Sequence, residues 1–212
     1  MAELSSNEYI EAPLSIAQQS MWLIHNCSND KSIYNSHYVW TLPELVDIDI
    51  LIASLQYAVA RHPVFRTLFI PTEDGVVQRV YSDKSLRFET YDTPQVDDDE
   101  LSQTILNHEF KKPFELDKET AMRWVLFTRP DGSRVLGAFF HHIILDMGSF
   151  MILANELRDI YKSLKNKSDI DLPEMKQSYL DFIAKQTAFL DSPEGKKQED
   201  FWRDELGDAE SS

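Results

Sequence analysis

The feature that most constrains the fold is an apolar run, residues 135–144, that contains two adjacent histidines, His141 and His142. Its length and its branched and aromatic side chains are typical of a β-strand that is buried on both faces. Successive side chains of a strand point to opposite faces. We therefore predict a strand over Arg134–Ile144 in which His142 faces a potential site and His141 faces the packing around it.

The residues after the histidine pair predict the start of a helix. Asp146 is a favourable N-cap residue because its carboxylate can accept the free amides of a first helical turn. Apolar residues follow it at helical spacing, namely Phe150, Leu153, Leu157, Ile160, Tyr161 and Leu164. The stretch therefore predicts a strand, a short turn and a helix N-terminus, with His142 and Asp146 near the turn.

The rest of the chain alternates between strand and helix patterns. Ser15 and either Asp47 or Asp49 can cap helices, Pro63 ends the second of these, and the acid run 97–100 is typical of a solvated helix start that continues through Leu101, Ile105 and His108. We predict further helices at 147–165, 176–190 and 195–206 and strands at 34–42, 64–70, 76–81, 86–91, 122–128 and 134–144. Interleaved strands, hairpins and helices indicate a mixed α and β class.

Composition excludes several classes of function. The chain has 212 residues, which suits one domain or one lobe of a larger one, and a net charge of −15, which argues against nucleic-acid binding and anionic-membrane binding. Its single cysteine, Cys27, excludes an internal disulfide and a cysteine-rich metal site. No apolar run is long enough to cross a bilayer, so the sequence favours a cytoplasmic protein.

Four other stretches accompany the segment His141–Gly148. In chain order they are Ser15–Trp22, Arg61–Thr67, Pro113–Arg123 and Tyr179–Phe182. Together they resemble the motifs of nonribosomal peptide synthetase condensation domains, whose signature is His-His-x-x-x-Asp-Gly. The resemblance covers about residues 12–206. This sequence departs from the family pattern at three positions, where it has Ser20 for the usual Arg, Met147 for Gly and Lys185 for a common Trp.

The resemblance implies a fold. Condensation domains resemble chloramphenicol acetyltransferase, in which two similar α/β lobes enclose a substrate tunnel. The present sequence matches one such lobe, which implies a mixed sheet with flanking helices. We therefore expect residues 13–212 to form the N-terminal lobe, after a flexible N-terminus over residues 1–12. The C-terminal lobe is expected to be absent, which would make the chain a dissected or truncated piece.

The resemblance also implies a reaction. A donor acyl or peptidyl thioester is attacked by the amine of an acceptor aminoacyl thioester, and an amide forms. Both substrates arrive on the 4'-phosphopantetheine arms of donor and acceptor peptidyl carrier domains, so no cofactor is expected to bind the chain directly. Alternatives are an ester-forming, starter or epimerisation relative, and a non-catalytic domain that docks carriers or recruits tailoring enzymes. The 212-residue chain alone is expected to be inactive.

The site residues follow from the same resemblance. His142 is the candidate catalytic residue, either as general base or as the hydrogen-bond partner that positions the amine, whereas a satisfied core histidine is the alternative. His141 is expected to be structural. Asp146 is expected to form an ion pair with Arg61 or Arg66, and an ordinary N-cap is compatible with that role.

Other kinds of site do not fit these residues. His142 and Asp146 supply too few ligands for zinc, and Ser149 lacks the surroundings of a nucleophile elbow. Met147 is the main departure from the signature, because glycine would allow a positive φ that methionine does not favour. We expect Met147 to narrow the mouth of the tunnel, and Gly148 to absorb part of the backbone strain.

Overall fold

The computed structural model describes residues 8–94, 97–101, 103 and 107–207. The chain divides into two compact units, residues 1–174 and residues 175–212. Ile105 of the predicted helix after the acid run, and residues 1–7 of the predicted flexible N-terminus, lie outside the described residues.

The first unit contains two sheets. The strands are β1 Tyr9–Pro13, β2 Asn35–Leu42, β3 Thr67–Thr72, β4 Gly75–Tyr81, β5 Phe88–Asp92, β6 Met122–Thr128 and β7 Arg134–His141. One sheet has three antiparallel strands in the order β1-β4-β3, and the other has four strands in the order β2-β7-β6-β5. In the larger sheet β5 runs parallel to β6 while the other pairs are antiparallel. The predicted mixed sheet is therefore confirmed.

Some helices accompany the sheets of the first unit, and two further helices form the second unit. They are α1 Ile16–Cys27, α2 Ile48–Arg61, α3 Asp98–Glu100, α4 Asn107–Lys111, α5 Met147–Asn166, α6 Tyr179–Leu190 and α7 Pro193–Leu206, with a 3₁₀ helix at Pro63–Arg66. The first five helices and the 3₁₀ helix belong to the first unit, and α6 and α7 belong to the second. The mixed α and β class is confirmed.

The capping residues behave as the sequence predicts. Ser15 and Gln18 form a reciprocal capping box at the start of α1. The Asp47 side chain accepts the amides of Asp49 and Ile50 at the start of α2. These local bonds fix where the helices begin, independently of the packing that follows.

Two predicted strand boundaries are wrong. The strand expected at 64–70 starts only at Thr67, because Pro63 begins a 3₁₀ turn in which the Phe65 amide donates to the His62 carbonyl at 3.1 Å. The strand expected over Arg134–Ile144 ends at His141, since the Ile144 amide turns back to the His141 carbonyl at 3.2 Å. Local turn bonds end the extended backbone although the apolar pattern continues.

The predicted flexible N-terminus is also corrected. Residues Tyr9–Pro13 form β1, which pairs with β4 from Tyr9 opposite Tyr81 to Pro13 opposite Val77. The sequence signal was weak because most of this edge strand is exposed. The backbone pairing with β4, which the residue pattern of a short exposed strand does not reveal, orders the segment.

A buried ion pair supports the centre of the larger sheet. Arg123 on β6 is fully buried, and its Nε lies 3.4 Å from the carboxylate of Glu109 on α4. Its guanidinium also donates to the Lys112 carbonyl at 2.8 Å and lies over the rings of Phe114 and Phe139. Because Phe139 belongs to β7, this arginine joins α4 to the strand that carries the histidine pair.

We predict that Glu109→Leu destabilises the protein strongly. The change leaves the Arg123 cation buried without its carboxylate, which typically costs about 3–5 kcal/mol of unfolding free energy. Glu11→Leu is the matched control, because it breaks the Arg79–Glu11 ion pair at the surface, whose loss should change the stability far less. Urea unfolding at neutral pH measures both. Equal losses in the two variants would contradict the role assigned to the buried pair.

Candidate active site

The end of β7 is held by its neighbours on both sides. The His141 amide donates to the Ala121 carbonyl at 2.9 Å, and the His142 amide donates to the Tyr34 carbonyl at 2.8 Å. Ala121 immediately precedes β6, and Tyr34 immediately precedes β2. The two histidine backbones are therefore anchored in opposite directions, at the point where the strand stops.

The turn that follows exposes a single histidine between buried neighbours. His141 is fully buried and Ile143 is 3% exposed, whereas His142 is exposed. The Ile143 carbonyl accepts a hydrogen bond from the side-chain Nε2 of the buried Gln18 at 3.3 Å, which connects the turn to α1. The turn is consequently tied down on its buried side and presents only the His142 ring to solvent.

His141 lies in a tight polar environment. Its Nδ1 accepts the Ile143 amide at 3.1 Å, and its Nε2 lies 3.3 Å from Nδ1 of His25 on α1. Burial, together with the nearby His25 and His142 rings, lowers the pKa of His141 to about 3. The ring is therefore neutral at physiological pH. This placement is the one expected for a structural residue, a role that stays a prediction.

His142 lies beside an aromatic cluster and the start of α5. Its ring is 6.5 Å from that of Phe140 in an edge-to-face arrangement, and Phe140 stacks on Phe150 at 5.6 Å. Phe150 in turn stacks on Tyr38 at 3.9 Å. These rings form the wall next to His142. An exposed imidazole above such a wall can exchange protons or hydrogen bonds with a bound substrate.

Asp146 caps α5, as the sequence predicts. Its Oδ1 accepts the Ser149 amide at 2.7 Å, and this bonding with Ser149 lowers the pKa of the exposed carboxyl. The nearby His142 also favours the ionised form. The carboxylate and the imidazole therefore share one neighbourhood at the N-terminus of the helix.

The predicted ion pair of Asp146 with Arg61 or Arg66 is wrong. Arg61 pairs instead with Glu156 on α5, where Nε and the carboxylate are 3.3 Å apart. Arg66 donates to the Val59 carbonyl at 3.1 Å and to other carbonyls at the ends of α2 and β4. Because Asp146 is exposed and its carboxylate already accepts the Ser149 amide, its small desolvation cost needs no buried cation to offset it.

The expected strain at Met147 is also absent. Met147 is the first residue of α5, and Lys167 is the non-glycine residue with a positive φ in the described ranges. A Cβ added to Gly148 would lie 3.6 Å from the nearest atom outside its chain neighbours, an ordinary contact, so this position does not require glycine. Met147 does add bulk: it is 59% exposed, and its Sδ accepts the Tyr38 hydroxyl at 2.7 Å, at the aromatic wall next to His142.

Sequence reasoning missed two residues that contact predicted site residues, His25 beside His141 and Glu156 beside Arg61. His25 completes the buried stripe of α1 with Gln18, Met21 and Trp22, and this i, i+3, i+4, i+7 spacing could have found it. Glu156 accepts from both Arg61 and His62, with 2.6 Å between its carboxylate and His62 Nε2. The sequence offered no comparable signal for that contact.

Among the residues that the structure describes, no group of three or more His, Cys, Asp and Glu side chains could hold a metal ion. None of the helices in the described ranges is long and apolar enough to cross a membrane.

The sequence profile of the family described as "Condensation domain" matches residues 9–212. Tyrocidine synthase 2 of Brevibacillus parabrevis is 33% identical over 192 residues, which are 90% of this chain and 5% of that protein. The chain therefore belongs to the condensation domain family of nonribosomal peptide synthetases.

Solved structures show the same fold. The starter condensation domain of the rhizomide synthetase RzmA aligns with a TM-score of 0.83 at 19% identity, covering 95% of this chain and 49% of that one. The X-domain in the complex with OxyB from teicoplanin biosynthesis aligns with a TM-score of 0.81 at 20% identity, covering 100% of this chain and 46% of that one. The chain thus spans about half the length of these solved chains and a small part of the curated synthetase.

We predict that His141 makes stability depend on pH. Its pKa falls from an ordinary 6.5 to about 3 on folding. Below pH 6.5 the unfolded chain therefore binds a proton that the folded chain does not, so stability is complete above that pH and is lost as pH falls. The loss attributable to this group is about 1.4 kcal/mol per pH unit.

Urea unfolding of the wild type and of His141→Gln at pH 7, 6 and 5 measures this dependence. The variant should lose less stability between pH 6 and pH 5 than the wild type. His142→Gln, which changes the exposed neighbour, should retain the wild-type dependence. Parallel curves for the wild type and His141→Gln would show that the buried ring is not responsible.

Proposed function

We propose that this chain is the N-terminal half of a condensation domain that forms amides between carrier-bound thioesters. One observation carries the proposal: in a member of this family, the second histidine of the signature is exposed at the end of β7, beside the capped N-terminus of α5. The first histidine is buried behind it. Only His142 of the pair can meet a substrate without rearrangement of the sheet.

The reaction assigns a task to His142. The amine of the acceptor aminoacyl thioester attacks the carbonyl carbon of the donor thioester, so a C–N bond forms and the C–S bond breaks. The donor sulfur leaves as the thiol of its phosphopantetheine arm, and it takes up the proton that the amine loses. His142 either accepts that proton as general base or holds the amine by a hydrogen bond.

The start of α5 supplies the second element. The thioester carbonyl oxygen gains negative charge in the tetrahedral transition state, and free amides at a helix N-terminus stabilise such charge. Asp146 accepts the Ser149 amide and leaves the amides of Met147 and Gly148 at the exposed first turn. We propose that these two amides face the developing oxyanion.

The apolar surface next to His142 supports the proposal that a second half of the domain covers this site. Met147, Met151 and Ile152 on α5 are more than half exposed, with values of 59%, 53% and 61%. Apolar side chains grouped in this way are typical of a surface that another element covers. Since the solved relatives are about twice as long, we propose that a C-terminal lobe completes a tunnel here and that donor and acceptor peptidyl carrier domains deliver substrates to it.

Two alternatives remain for the complete protein. An ester-forming, starter or epimerisation relative would keep His142 but use a different acceptor or reaction. A non-catalytic domain would instead bind carriers or other proteins; the X-domain, whose fold is similar, was solved in a complex with OxyB. The exposed His142 and the intact Asp146 cap favour catalysis over docking. We also propose a cytoplasmic location, because a chain with the single cysteine Cys27 needs no oxidising compartment for an internal disulfide.

We predict that His142→Ala abolishes most activity. The test protein is the chain extended by the second half of the domain, and the assay is single-turnover thioester aminolysis with loaded donor and acceptor carriers. Loss of a general acid–base or positioning group should lower the rate about 10²–10⁴-fold. His37→Ala is the control, because this exposed histidine contacts Phe110 and Phe139 on the opposite face of the sheet.

The possible results separate the candidate functions. Wild-type aminolysis that His142→Ala removes and His37→Ala keeps supports amide formation. An inactive wild type that still binds carriers favours the docking role. Product formation with a hydroxyl acceptor, or inversion of the donor without condensation, assigns one of the related reactions instead.

We predict that Met147→Gly widens the range of substrates. Removal of the Met147 side chain, which is 59% exposed and contacts Tyr38 of the aromatic wall next to His142, should raise the rate for bulky acceptors relative to small ones by about tenfold. Asn155→Gly, at an exposed position two helical turns further along α5, is the control for the loss of helix propensity. An unchanged rate and substrate range in Met147→Gly would refute a role for this side chain at the tunnel mouth.

A further inference from the structure

The Ile143 amide, His141 and His25 form a buried series of polar contacts behind the candidate catalytic turn. The Ile143 amide donates to Nδ1 of His141 at 3.1 Å, and Nε2 of His141 lies 3.3 Å from Nδ1 of His25. The two imidazoles meet edge to face with their centres 5.0 Å apart. His141 is fully buried and His25 is 6% exposed. This series of contacts therefore connects α1 to Ile143, the residue that directly follows His142.

The direction of these bonds fixes the tautomers. Because Nδ1 of His141 accepts a backbone amide, the proton of the neutral ring is on Nε2, and that N–H donates to His25. Nδ1 of His25 must then be an unprotonated acceptor. Burial, and secondarily Lys31, lowers the pKa of His25, and this favours the neutral form that the bond requires.

Few charged groups surround the His25–His141 pair among the residues that the structure describes. Lys31 donates to the His25 carbonyl at 2.8 Å, and the Tyr34 ring lies 5.8 Å from that of His141. His25 also lines an open pocket of about 330 Å³ together with Glu115 and Asp117. His142 is the remaining titratable neighbour of His141.

We propose that His25 is a positioning residue: it holds His141 in the Nε2-protonated tautomer, so that Nδ1 accepts the Ile143 amide and fixes the turn that presents His142. The inference rests on the proposed function in so far as His142 acts on a substrate. It adds a residue outside the signature, on a different helix, to the machinery that orients the site.

The consequences of removing the acceptor at position 25 show why the tautomer of His141 matters. Without it, the N–H on Nε2 of His141 would be buried and unpaired, which is unfavourable. If the proton moved to Nδ1 instead, two donors, this N–H and the Ile143 amide, would face each other. In either case the bond that fixes Ile143 weakens and the turn gains freedom.

Two variants at position 25 test the proposed role of His25. His25→Leu removes the acceptor, whereas His25→Asn restores one, since the asparagine Oδ1 occupies nearly the place of the imidazole Nδ1. His37→Leu is the matched control, because it removes an exposed histidine that stacks on Phe139 of β7. Nitrogen NMR of the ¹⁵N-labelled 212-residue chain reports the tautomer of His141, and hydrogen exchange reports the protection of the Ile143 amide.

We expect His25→Leu to shift the His141 nitrogen signals away from the Nε2-protonated pattern and to speed exchange of the Ile143 amide at least tenfold. His25→Asn and His37→Leu should stay within about threefold of the wild type. In the extended protein, His25→Leu should lower kcat at least tenfold with KM within twofold, and His25→Asn should recover most of the rate.

The outcomes keep this inference separate from the proposed function. An unchanged tautomer and unchanged Ile143 exchange in His25→Leu overturn it, whatever the activity. So does an active extended protein whose kcat is insensitive to His25→Leu. If the extended wild type is inactive, the proposed function fails, and the NMR and exchange results alone decide whether His25 positions the turn. Should His25→Leu fail to fold, a tautomer change or a loss of Ile143 protection in the folded His25→Asn overturns the proposal.

Discussion

The backbone hydrogen bonds at the end of β7 determine how the two histidines of the candidate site are placed. The amides of His141 and His142 donate in opposite directions, to the carbonyls of Ala121 and Tyr34, so the strand is held by both neighbours up to the last residue that stays extended. The turn after it is bonded to α1 through Gln18. Adjacent residues of one type thus enter opposite environments: one imidazole becomes a neutral buried acceptor and the other remains in contact with solvent.

Much of this arrangement could be predicted from the sequence, because it is local. Strand alternation separates His141 from His142, and an aspartate four residues after the pair caps the helix that begins with Met147. The capping box at Ser15 and the cap at Asp47 are equally local. Each depends on residues within a few positions of one another, where spacing alone determines the geometry.

The misplaced features depend on contacts that are distant in sequence. The apolar pattern runs on through Ile144 although the strand stops, because the buried turn is as apolar as the strand. Arg61 finds Glu156, 95 residues away, rather than Asp146. His25 meets His141 across 116 residues. A short, exposed edge strand such as Tyr9–Pro13 is ordered by its pairing with β4. No spacing rule on a single sequence reveals such pairings.

The central claim is that the two histidines differ in accessibility, and carbethoxylation by diethylpyrocarbonate measures this directly. The folded 212-residue chain would be treated for short times at neutral pH, and fragment ions that separate residue 141 from residue 142 would give both rates. His108, whose side chain is 79% exposed, is the internal reference. We predict that His142 reacts at a rate similar to that of His108 and that His141 reacts at least 100-fold more slowly. Similar rates at 141 and 142, or a protected His142, would contradict the account.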